Sequence, residues 1–300
     1  MMPAFSDLVP DPGALERIAT GSTWAEGPIW MPASRTLRWS DIPGDRIMQW
    51  HQDDGSVDEY ATGVEFTNGR TRDRDGSVVQ CSHGNRQVER DRDGIVSVIV
   101  DAWDGVRFNS PNDVVVARDG SVWFTDPAYG ITQPREGHPG TREYGDHWVF
   151  RCGPDGEDLR PVVLDTEEPN GLAFSPDERV LYVVSSSGDR PVIRAYDVDP
   201  TPRGPGDAPA VRVENGREFV RLAAGEGVPD GIRVDRDGNV WSSSHRGLIV
   251  FGPDGARLGE VAVPEVVSNL CFGGDDGTTL FLTATTSVYR LPTRARDAVS

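Results

Sequence analysis

The chain has only three cysteines and five histidines, no dense block of Lys and Arg, and no apolar run approaching membrane length. Each shortage removes a class of explanation. Cys81, Cys152 and Cys271 are an odd set at wide spacing with no paired metal-ligand pattern, so they read as free thiols in a reducing compartment. A formal net charge of −18 without a basic block argues against nucleic acid and anionic membranes as partners. The start of the chain does not join a basic region to a long apolar core, so the expected location is cytoplasmic. A G-x-S-x-G elbow is missing, and the run Ser185 to Ser187 has no group to activate a hydroxyl, which speaks against a serine hydrolase. Helical periodicity is nearly absent as well, so the fold class is all-β.

What is present is one phrase, six times. It consists of a polar residue, a short apolar run, an Asp/Gly turn and a second apolar run. The copies are EGPIWMPASRTLRWSD, NGRTRDRDGSVVQCS, NDVVVARDGSVWFTD, NGLAFSPDERVLYVV, DGIRVDRDGNVWSSS and NLCFGGDDGTTLFLT, opening at Glu26, Asn68, Asn112, Asn170, Asp230 and Asn269. Each reads as a hairpin, with alternating apolar positions around a tight turn. Two further strands follow most copies, as in DRIMQWHQDDGSVDEYA. A unit of about 40 residues with four strands is a propeller blade. Six of them predict a six-bladed β-propeller occupying residues 1–300 as one domain. A β-sandwich has no need of the repeat, and a β-helix repeats at a shorter period. The inserts GITQPREGHPGTREYGD and VDPTPRGPGDAPAVRVENG lengthen the third and fourth units, the second reading as a polar surface loop. Only SVYRLP follows the sixth phrase, so ALERIAT, residues 14–20, is expected to supply the outer strand of the last blade.

Inner strands line the channel of a propeller, so the six opening residues fall at one height around one axis. Two are acids and four are asparagines. Glu26 has little use in a tight turn. A ring of carboxylate and amide oxygens suits a hard cation such as Ca²⁺ and is not a usual zinc site. The plainer reading is that Asn and Asp cap strand entrances and bond locally.

The motifs WAEGPIW, RFNSPNDVVV, WFTDPAYG, EPNGLAFSPD, PDGIRVD and SNLCFGG, in this order from about Trp24 to Arg290, resemble the gluconolactonase/senescence-marker-protein (regucalcin-like) family of six-bladed propellers. CSHGNRQVER and RFNSPNDVV read like its bacterial sugar-lactonase branch. The resemblance implies one divalent cation at the channel mouth, Ca²⁺ first and Zn²⁺, Mg²⁺ or Mn²⁺ as alternatives, held by Glu26, Asn170 and Asp230. More distant propeller hydrolases add an Asn that matches Asn112, and Asp230 doubles as proton donor and acceptor. An R-x-N substrate motif maps onto Arg107 and Asn109, and Asn112 could instead take a substrate role.

On that reading the ion acts as a Lewis acid on a lactone carbonyl. Neutral Asn ligands leave it more positive than an all-carboxylate cage would. Asp126, closing the strand after Asn112, is an independent candidate for the base. Asp113 points away from Asn112 by the period of a strand. His83, Asn85 and Arg86, after the second run of their phrase, could reach substrate, as could His245. The expected activity is hydrolysis of a sugar lactone, D-glucono-1,5-lactone first. The rivals are another lactone or phosphotriester hydrolase on the same ion, and a non-enzymatic calcium-binding or interaction propeller.

Overall fold

A computed structural model describes residues 4–187, 191–199 and 211–298. Its sheets are six antiparallel blades of four strands and one small two-stranded hairpin, Ala102–Trp103 with Val106–Arg107. From the inner strand outward, blade 1 runs Ala25–Met31, Thr36–Asp41, Arg46–His51 and Val57–Thr62. Blade 2 runs Thr67–Arg72, Val78–Ser82, Gln87–Arg92 and Ile95–Val100, and blade 3 runs Val114–Val116, Val122–Asp126, Trp148–Cys152 and Arg160–Val163. Blade 4 follows with Pro169–Phe174, Val180–Ser185, Val192–Asp199 and Arg212–Arg221, then blade 5 with Ile232–Val234, Val240–Ser244, Gly247–Phe251 and Arg257–Ala262. Blade 6 takes Val267–Gly273, Thr279–Ala284 and Ser287–Pro292 from the end of the chain and Glu16–Thr20 from its start. That last pairing, Glu16 opposite Arg290 and Thr20 opposite Ser287, ties the ring shut.

Each phrase is thus an inner hairpin. The turn carries Asp and Gly, and the flanking runs bury their alternating apolar residues between blades. Trp123 meets Phe174 edge-on across the gap from blade 3 to blade 4, and Trp241 meets Phe272 likewise from blade 5 to blade 6. Trp241 is fully buried, and its truncation to Ala would cost about 3–5 kcal/mol. The two inserts differ in outcome. The flanks of the second one, expected as loop, are strand, with Asp199 opposite Arg212; its residues 200–210 lie outside the described set. Alternation in VRV lets the chain extend the sheet. The first insert forms a short helix, Tyr129–Thr132, and returns to Trp148.

The inner strands touch their neighbours around the channel, and glycine makes this approach feasible. The Gly69 N–H donates to the Asn112 carbonyl at 2.9 Å, and the Gly171 N–H to the Asp230 carbonyl at 3.0 Å. A Cβ on Gly171 would stand 2.4 Å from that carbonyl oxygen. A glycine after the ring residue therefore lets one blade's opening lock onto the next. No helix among the described residues is long and apolar enough to cross a membrane.

Candidate active site

Glu26, Asn68, Asn112, Asn170 and Asp230 line one cavity of about 280 Å³ at the end of the channel, near the small end of ligand pockets. Asn269 stands beside it, donating from Nδ2 to Glu26 Oε2 at 3.2 Å. Sequence-distant residues meet here because each opens an inner strand.

The amides around this cavity have a fixed sense. His83 is fully buried and its Nδ1 is 3.0 Å from the Glu136 carbonyl. A carbonyl only accepts, so Nδ1 carries the proton and Nε2 a lone pair. That lone pair faces the Asn68 Nδ2 at 3.1 Å and the Asn112 Nδ2 at 3.4 Å. Burial pushes His83 down to about 4, so it stays neutral and keeps this role at neutral pH. Asn170 Nδ2 donates to Ser186 Oγ at 3.1 Å, and Ser186 in turn donates to the Pro229 carbonyl at 2.8 Å. Three amide N–H₂ groups are thus engaged with the wall, and the opposite end of each amide is an oxygen.

The acids here are costly as charges. Burial, with repulsion from Asp113 and Glu136, raises Glu26 to about 7. Burial and the same neighbours, Glu26 included, hold Asp230 well above the ordinary aspartate range. Neither forms an ion pair among the described residues. Asp113 is different: its Oδ2 lies 3.7 Å from the Arg233 guanidinium of blade 5, and its Oδ1 accepts the Val114 N–H. Among the described residues no three His, Cys, Asp or Glu side chains gather as a metal site. The converging donors are two carboxylates with amide oxygens between them, a hard-oxygen set that fits a divalent cation.

The backbone is strained at this rim. Glu65, Phe66 and Glu168 adopt positive φ of 54°, 54° and 45° just before their inner strands. Such conformations in non-glycine residues are held only where the surroundings over-determine them.

Several expected residues stand elsewhere. Asp126 is fully buried, yet away from the cavity wall. Its carboxylate accepts the Asn109 N–H at 2.7 Å, the Ser110 N–H at 2.8 Å and the Tyr144 hydroxyl at 2.7 Å. It pins the NSPND loop, and its oxygens are taken. Asn109 Nδ2 is spent on the Asp126 and Asp146 carbonyls and the Tyr144 hydroxyl. Arg107 is exposed and donates to the Asn85 carbonyl at 2.9 Å, while Asn85 Nδ2 donates to Glu89 at 3.1 Å. Arg86 bonds the Phe108 and Thr141 carbonyls and pairs with Glu143 at 3.1 Å. These groups brace the first insert, and none of them is among the residues lining the cavity. His245 is exposed and rests over Gly227.

The wall also contains residues that the repeat could not reveal. Tyr129, Gln133, Arg135 and Glu136 come from the first insert, and Glu168 and Ser186 flank the fourth phrase. Burial raises the Tyr129 hydroxyl pKa. WFTDPAYG and the serine run contained the signal, but it took the fold to aim it.

Residues 24–286 match the family described as SMP-30/gluconolactonase/LRE-like region. A gluconolactonase of Zymomonas mobilis is 35% identical, covering 93% of this chain and 81% of that protein. The pentonolactonase XacC of Haloferax volcanii is 28% identical over 89% of this chain and 83% of its own. Among solved structures, a gluconolactonase from Xanthomonas campestris superposes with a TM-score of 0.86 at 38% identity, covering 97% of this chain and 93% of that one. A likeness that spans all six blades and reaches this identity places the chain in the SMP-30/gluconolactonase/LRE-like family, as a hydrolase of sugar lactones.

Proposed function

We propose that this cavity hydrolyses D-glucono-1,5-lactone to D-gluconate, using one divalent cation held by Glu26, Asn112, Asn170 and Asp230. Ca²⁺ is the first choice, ahead of Zn²⁺, Mg²⁺ and Mn²⁺, because every donor is a hard oxygen. The observation that carries the reading is a pair of acids without a cationic partner, Glu26 buried and Asp230 half-buried at the cavity, facing amides whose N–H₂ groups are bonded into the wall. When bound, such an ion supplies Lewis-acid polarisation of the lactone carbonyl.

The chain's own residues do the rest. His83 and Ser186 set the amides. Asp230 exchanges the proton, taking it from the attacking water and returning it to the ring oxygen as the C–O bond breaks. Tyr129, Gln133, Arg135, Glu136 and Ser186 offer hydrogen bonds to a polyol ring. This polar wall favours a sugar lactone over an apolar phosphotriester. Three buried free thiols suit a reducing compartment, and we place the enzyme in the cytoplasm.

The test is hydrolysis of D-glucono-1,5-lactone after exhaustive chelation, with each of the four ions added back and Asp230→Ala as control. Activity lost on chelation, restored by one ion and missing in the variant supports the reading. Activity that survives chelation refutes the metal, and activity absent under every ion refutes the substrate.

A further inference from the structure

The inner strands that open near Glu26, Asn68 and Asn269 end beside Trp30, at Arg72 and at Gly273. These far ends border a second cavity, of about 220 Å³, at the rear of the channel. It shares no lining residue with the active cavity. Its wall carries three arginines, Arg70, Arg72 and Arg233, against one acid, Asp297. The charges of Arg233, Asp297 and Arg72 all act on the Cys271 thiol of the same wall, so these groups stand close together. A pocket with an excess of arginine is at odds with a chain of net charge −18, and calls for a local reason.

Two buried donors on this wall have nothing to donate to. Arg70 is 2% exposed and donates to Ser40 Oγ, but its Nε has no partner and it forms no ion pair among the described residues. Trp30 is 6% exposed, and its Nε1 also lacks a partner. The indole is fixed in place: it stacks on Phe281 at 5.4 Å, and a Cβ on Gly273 would stand 2.4 Å from its Cγ. Arg233 is buried too. Its Nη1 donates to the Ile232 carbonyl at 2.6 Å and lies 3.7 Å from Asp113 Oδ2. Buried donors and charges without partners are rare, because each forfeits its hydration.

We propose that this rear cavity binds one phosphate dianion. Arginine and the indole N–H only donate, so the ligand has to be rich in acceptors, and a guanidinium matches an edge of phosphate. The volume falls below that of ordinary ligand pockets, which suits the free ion better than a phosphorylated sugar. Asp297 selects phosphate over sulfate, because the hydroxyl of HPO₄²⁻ can donate to a carboxylate and sulfate has no hydrogen. The site is independent of the catalytic reading.

Isothermal titration calorimetry of the intact chain with inorganic phosphate tests it. One ion per chain is expected, with a Kd below about 1 mM. Trp30→Phe, which keeps a ring against Phe281 but removes the N–H, is expected to weaken binding about tenfold. Arg72→Glu, at an exposed position, is expected to weaken it about tenfold while melting as wild type does without phosphate. Asp230→Asn should bind phosphate as wild type does. Sulfate should bind about tenfold more weakly than phosphate, and Asp297→Asn should narrow that gap. No binding at about 10 mM phosphate overturns the proposal, as does binding lost in Asp230→Asn but kept in Arg72→Glu and Trp30→Phe, which would place the ion in the active cavity. Glucose 6-phosphate binding more tightly than phosphate overturns the assignment to the free ion, and a sulfate gap unchanged in Asp297→Asn overturns the role of Asp297.

Discussion

Asp126 is fully buried and Asp230 half-buried at the cavity, and loss of water around each raises its pKa, Asp126 to about 7. Their surroundings differ. Asp126 accepts two backbone N–H groups and a tyrosine hydroxyl, all from the loop it anchors. Asp230 faces a cavity beside a second acid, Glu26, and lacks any cationic partner among the described residues. A raised pKa therefore does not identify a catalytic acid here. The difference is whether the carboxylate's lone pairs are already used. A group saturated by donors is part of the scaffold, and one left facing a cavity can take a cation or a proton.

The strongest way to break this comparison is to neutralise each acid in turn. Asp230→Asn is expected to lower kcat for lactone hydrolysis about 10³-fold or more. Asp126→Asn should leave kcat within a few-fold, while unfolding shows a stability loss of about 1–3 kcal/mol as loop donors lose their partner. Equal losses of kcat in the two variants would erase the distinction.

A smaller effect separates the acids by pH. Glu26 binds its proton more tightly folded, at about 7, than unfolded, at its ordinary 4.5. In chelated protein its contribution to stability is full below pH 4.5 and is lost as pH rises through 7. The melting temperature is expected to fall across that window, Glu26→Gln to flatten the fall, and added cation to reverse it. A melting temperature that rises with pH in chelated protein would show the acids to be less strained than the geometry implies.

The amide clamp sharpens the comparison further. His83→Leu removes the acceptor that turns Asn68 and Asn112, and calorimetry is expected to show cation affinity about tenfold weaker. His83→Gln, whose amide oxygen can accept, should recover much of it. The smallest effect belongs to Tyr144→Phe, which strips one donor from Asp126 at about 1 kcal/mol with unchanged kcat.

The fold could be read from the sequence to the extent that its local chemistry repeats. D-G turns between alternating apolar runs named the inner hairpins, and the missing strand after SVYRLP pointed back to Glu16–Thr20. Because the openings repeat, Glu26, Asn112, Asn170 and Asp230 could be placed on one ring before any coordinates. Residues that do not repeat could not be placed. Tyr129 and Glu136 belong to an insert with no counterpart in other blades, so no register told where it folds. Asn109, three residues before Asn112, sits within RFNSPND, but nearness along the chain does not fix where a side chain points, and its amide turns toward Tyr144. Ser186 was passed over for lack of an activating partner; its partner is an amide, Asn170, which it orients.

The most direct test of the central claim is a crystal of chelated protein soaked in Mn²⁺ and measured for anomalous scattering. The account predicts one strong peak among the oxygens of Glu26, Asn112, Asn170 and Asp230, lost in Asp230→Asn. A peak bound instead by Asp126 or Glu136, or none at saturating Mn²⁺, Ca²⁺ or Zn²⁺, would contradict it.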